Sequence, residues 1–130
     1  MKEQTVKQTY KTLQFGVDGI GDVQISDEVI NSISGLAALE VEGVDSTVGS
    51  VANEIAGKLG VRNFGKGVKS VIDNEEVTVE LNIVIKYGYS ARKTCEQIQD
   101  KVKQAVENMT ELTVKAVNIN IAGVSVEKEQ

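Results

Sequence analysis

Residues 60–67 read GVRNFGKG, one residue away from the phosphate-binding pattern G-x-x-x-x-G-K-[ST]. A working loop of that kind follows a buried strand and opens a helix. Its N–H groups then cradle phosphates, and a Ser or Thr hydroxyl holds Mg²⁺. Here Gly67 stands where the hydroxyl should be, a helical pattern precedes the segment and a hairpin strand follows it. The expectation is a structural turn that binds no nucleotide, with glycines supplying the positive φ angles of the connection. Arg62, Gly65, Lys66 and Gly67 are assigned to that turn and to a partner contact. Overlapping it, Gly57-Lys58-Leu59-Gly60 fits the G-x-x-G loop with which KH domains clamp single-stranded RNA between two helices. A helix precedes it, none convincingly follows, and the net charge opposes it. An RNA-binding regulator using the Gly57–Gly67 loops, with Lys58, Arg62, Lys66 and Lys69 as its basic surface, is the alternative function.

Other reactive residues are few. The chain has no histidine, which removes the commonest general acid/base and the commonest transition-metal ligand. Cys95, the single cysteine, falls on the apolar stripe of a helix and reads as a structural thiol, not a nucleophile. Glu40, Glu42 and Asp45, and separately Asp73, Glu75 and Glu76, gather near loops without the spacing of a calcium loop, and read as solvated turns. No catalytic, cofactor-binding or metal-binding residue is assigned, and no cofactor is expected.

The elements that carry these residues follow from periodicity. From Glu76 to Tyr87 every second residue is apolar (Val77, Val79, Leu81, Ile83, Ile85, Tyr87), a strand with one buried face. VKSVI (68–72) pairs with it through Asp73-Asn74-Glu75. Ser90 caps a helix over about residues 91–109, whose stripe is Ala91, Cys95, Ile98, Val102, Ala105 and Met109. Upstream, GDVQI (21–25) is a short strand, and Ser26 caps a helix running to about Glu40, with Asp27 and Glu28 at its positive end. Residues 41–47 form a connector or strand, and 48–59 a second, weaker helix. Val117, Ile119 and Ile121 form a closing strand before the tail GVSVEKEQ.

At 130 residues the chain makes one domain with one core. With 41% hydrophobic and 25% charged residues it reads as a soluble globular protein, with an aliphatic core because aromatics are scarce. A net charge of −5 disfavours phosphate backbones. The N-terminus lacks the apolar region of a secretory signal, and no apolar stretch is long enough to span a bilayer. The localisation expected is cytoplasmic, without direct membrane insertion and without nucleic acid.

With that layout in place, three stretches carry a resemblance: GDVQISDEVINSISGLAALEVEGV (21–44), NFGKGVKSVIDNEEVTVELNIVIKYG (63–88) and IQDKVKQAVENMTELTVKAVNINIAGV (98–124). Together they resemble the alkaline shock protein family, the envelope stress response proteins of Gram-positive bacteria. The most distinctive pieces are the Gly65-Lys66-Gly67-Val68 turn, Tyr87-Gly88, Met109-Thr110 and Val117-Asn118-Ile119. The resemblance implies a non-enzymatic, abundant cytoplasmic protein of cell-envelope homeostasis: some family members self-assemble beneath the membrane through a separate membrane-anchored partner, and others are tied to regulation of lipid synthesis. It implies no catalytic residue. The GKGVK turn and the short, non-basic tail sit nearer the small housekeeping members than the long stress-induced ones.

The fold expected is α+β, a small mixed or antiparallel sheet of three to four strands with helices packed on one face. Residues 1–18 are expected to be a flexible or weakly docked arm, 19–126 the domain and 127–130 a polar tail. The second face of the sheet, with Glu80, Asn82, Val84, Asn118 and Asn120 among its residues, is the expected surface for self-association. The protein is read as a homo-oligomer acting as a scaffold.

Overall fold

A computed structural model describes residues 10–13, 21, 23–48 and 65–126. The elements in chain order are β1 (Tyr10–Leu13), β2 (Val23–Ser26), α1 (Asp27–Leu39), β3 (Val44–Thr47), β4 (Val68–Asp73), β5 (Glu76–Lys86), α2 (Ala91–Thr110) and β6 (Thr113–Ser125). The chain is α+β, with β1 and β2 forming a separate antiparallel ribbon. The helical segment expected over 48–59 lies almost wholly outside the described residues; Val48 itself forms a turn at the end of β3.

The alternating strand is the centre of the main sheet. β6 lies parallel to β5 along its length, joined to it through α2, a crossover of the kind parallel strands require. The other edge of β5 is shared end to end. β4 pairs antiparallel with Glu76–Leu81 and β3 with Ile83–Ile85. Between them, Asn82 donates its N–H to the Gly67 carbonyl (2.9 Å) and accepts at its own carbonyl from the Val48 N–H (2.8 Å). One residue of the central strand thereby stitches the end of β3 to the start of β4. The β4–β5 hairpin turns on Asn74 and Glu75, both at positive φ (53° and 68°), as a tight two-residue connection demands.

Both helices cover one face, α1 over β3 and β4 and against α2, and α2 over β6. Beneath them, Val77, Val79, Leu81, Ile83 and Ile85 are at most 5% exposed. Each such aliphatic side chain contributes about 1.5–3 kcal/mol of burial. Ser70 fastens β4 to α1, its Oγ donating to Asn31 Oδ1 at 2.7 Å.

Several local expectations are corrected. Tyr87 lies past the end of β5 and is exposed. The buried ridge of α2 is Thr94, Ile98, Val102, Val106 and Thr110, an unbroken i, i+4 row, while Met109 faces solvent. Thr110 is buried at no polar cost because its hydroxyl donates to the Val106 carbonyl (2.7 Å) and accepts from the Leu112 N–H (3.2 Å). Ser26 precedes α1 but its side chain makes no cap; it is buried as the last residue of β2. Ser90 does cap α2, accepting from the Lys93 N–H at 3.2 Å. β6 runs through Ser125, so Gly123–Ser125 is strand where a tail was expected.

Candidate functional site

Two groups of residues were singled out by the sequence, and the fold separates them. Of the turn, Gly65, Lys66 and Gly67 are described, while Arg62, like Gly57 and Lys58 of the KH-like pattern, lies outside the described residues. Gly67 has φ +82°, and a Cβ on it would stand 2.3 Å from the Val48 carbonyl oxygen. No residue with a side chain fits there without moving backbone. Gly65 lies close against α1, where a Cβ would meet Asn31 Cβ at 3.0 Å. The Gly65 carbonyl accepts from the Val68 N–H (3.0 Å), and the chain leaves directly into β4. The glycines at positions 65 and 67 thus seat the β3–β4 seam beneath α1, and only Lys66 between them is exposed.

The second group meets on the face of the sheet that α1 and α2 leave uncovered. Register places Glu80 beside Asn118 and Asn82 beside Asn120 across the β5–β6 pair, with Lys69 beside Glu80 across the β4–β5 pair. Asn120 Nδ2 donates to Asn82 Oδ1 at 3.0 Å. A shallow groove of about 150 Å³ runs between these rows, lined by Glu80, Asn82, Asn118 and Asn120 with Leu81 and Ile119 at its floor. Val84, half-buried, sits one pair further along opposite Gly123. Val71, 66% exposed and beside Thr78, extends the apolar content of the face, which the sequence reading missed because β4 was placed without its register. Lys69 and Lys86 against Asp73, Glu76 and Glu80 leave this face close to neutral in a chain of net charge −5.

At one end of the sheet lies a concavity of about 380 Å³, lined by Asp45, Lys86, Tyr87, Tyr89, Ser125 and Val126. It holds one carboxylate, Asp45, and one ammonium, Lys86. Burial pushes the Cys95 thiol up, which suits a structural role. Glu107 is held below the usual carboxylate range, chiefly by the Val114 N–H that donates to it at 2.8 Å, and also by Lys103 at 2.9 Å. That carboxylate ties the last turn of α2 to the start of β6. Among the described residues, no cluster of His, Cys, Asp or Glu could hold a metal ion, and no helix is long and apolar enough to cross a membrane.

The sequence model of the alkaline shock protein 23 family, described as having a cell envelope-related function, matches residues 16–126. The chain is 36% identical over 105 residues to the uncharacterized protein YqhY of Bacillus subtilis, covering 81% of this chain and 78% of that one. It is 30% identical over 131 aligned positions to a stress response regulator gls24 homolog of Streptococcus pyogenes, covering all of this chain and 72% of that one. Solved structures of the MamM CTD align over 78% of this chain and 95% of theirs, at 12% identity and a TM-score of 0.45.

Proposed function

The chain belongs to the alkaline shock protein 23 family, and from that premise we propose that it is a non-enzymatic protein of the envelope stress response, acting by protein–protein contact and self-association. The observation that carries this reading is the uncovered face of the sheet around Glu80, Asn82, Val84, Asn118 and Asn120. It is near-neutral, mixing amide, hydroxyl and β-branched side chains with charges of both signs, and its groove is shallow. Such a face suits contact with another folded surface more than capture of a small molecule, which needs a deep pocket with converging polar groups. A relative points the same way: it is named a stress response regulator gls24 homolog.

In this reading the protein is a cytoplasmic scaffold, and a membrane-anchored protein partner brings it to the envelope. Lys66, presented at the tip of a turn whose glycines are fixed by the fold, is a contact for that partner, together with Arg62. Sedimentation velocity at several concentrations tests self-association. A sedimentation coefficient that rises with concentration is expected. One monomeric species at every concentration, unaltered by Val84→Lys, contradicts it.

A further inference from the structure

Strand β6 pairs with β5 along one edge, and among the described residues no strand occupies the other. Its backbone directions follow from two hydrogen bonds. The Val117 carbonyl accepts from Gln99 Nε2 at 3.1 Å and so turns away from β5; alternation then turns the N–H and C=O groups of Ile119 and Ile121 to the same open edge. After an irregularity in the register, the Ser125 carbonyl accepts from the Tyr87 N–H at 2.8 Å and points at β5, which leaves the groups of Val124 on the open side. Val124 and Val126 are 54% and 73% exposed there.

Natural edge strands are protected by lysine, proline or inward charge. This one is not. The segment Ala116–Val126, AVNINIAGVSV, carries no charge and no proline, in a chain where 25% of residues are charged. Gln99 is the one side chain among the described residues that bonds to the open edge. Alternating β-branched residues, neutrality and backbone groups that no described strand pairs together describe a strand built to be paired.

We infer that the open edge of β6 pairs with β6 of a second copy, antiparallel about a two-fold axis, so that two sheets become one. The inference rests on the self-association reading above. Charge selects the occupant. Two chains of −5 repel each other over most of their surfaces, but where this segment meets itself neutral residues face neutral residues. A charged foreign peptide would find no counter-charge on it.

Amide hydrogen exchange of residues 117–126 at low and high protein concentration, beside sedimentation of the same samples, tests the pairing. In the wild type and in Val84→Lys, the outward amides of Ile119, Ile121 and Val124 are expected to slow by about tenfold or more at high concentration. In Val124→Pro and Val124→Lys that protection is expected to be lost, with circular dichroism unchanged. Proline removes an outward N–H and no bond to β5; lysine keeps the N–H but places a charge on the edge. Association without concentration-dependent protection of this segment overturns the edge pairing and leaves self-association standing. Protection already complete in dilute monomer assigns the edge to the chain's own residues and also overturns it. A wild type that never associates overturns the reading beneath it.

Discussion

The two faces of β5 differ in what constrains them. On the inner face, Val77, Val79, Leu81, Ile83 and Ile85 alternate beneath two helices, and each is at most 5% exposed. On the outer face, Thr78, Glu80, Asn82, Val84 and Lys86 lie open, although the same eleven-residue strand carries both sets. A one-residue slip would exchange them, so the apolar set fixes the register and leaves the outer set free for other uses. The contrast teaches where to look for function: in the residues that the core does not require.

The contrast is sharpest in its effect on stability. Leu81→Ala, at a position 1% exposed, is expected to cost about 2–5 kcal/mol in urea unfolding. Gly67→Ser, which completes the phosphate-loop pattern, comes next. Positive φ and a Cβ 2.3 Å from the Val48 carbonyl should together cost about 2–4 kcal/mol, and titration with ATP should show no binding. ATP binding by that variant would overturn the structural reading of the turn.

A smaller effect separates helix anchoring from sheet packing. The Glu107 carboxyl is lowered in the folded protein, so its contribution is fully present above the ordinary carboxylate pKa and is lost as pH falls through the folded value. Glu107→Gln should therefore be less stable than wild type at neutral pH, with the gap closing in acid; a gap independent of pH would show the charge to be irrelevant. The smallest stability effect belongs to the outer face. Val84→Lys should change unfolding by no more than about 0.5 kcal/mol while weakening assembly beyond an edge-paired dimer. A large loss of stability there would mean the face is part of the core.

Much of this was legible from local pattern. The alternation of Val77 to Ile85, the Ser90 cap and the Asp73–Glu76 hairpin each depend on residues close in sequence, and each appears as expected. What was not legible depends on partners distant in the chain. Ser26 is a favourable cap residue that is instead buried at the end of β2, paired with Tyr10. Hydropathy places the α2 ridge wrongly because it favours Met109 over Thr94 and Thr110, whereas packing against β6 and α1 decides which side faces inward. Gly123 suggested a tail, but β5 extends beside it and holds it in the strand. The role of Gly67 was readable only as a need for positive φ; the Val48 carbonyl against it comes from tertiary structure. The outer face was foreseen as a surface from alternation, yet the Asn82–Asn120 bond and the open β6 edge needed the parallel pairing of β5 and β6.

The central claim is that the surface spared by the core serves contact between copies. Sedimentation equilibrium over a hundredfold concentration range, about the span needed to resolve weak association, tests it most directly. The account predicts an average mass that climbs above the 14.0 kDa of a single chain as concentration rises. A mass fixed at 14.0 kDa throughout would contradict it.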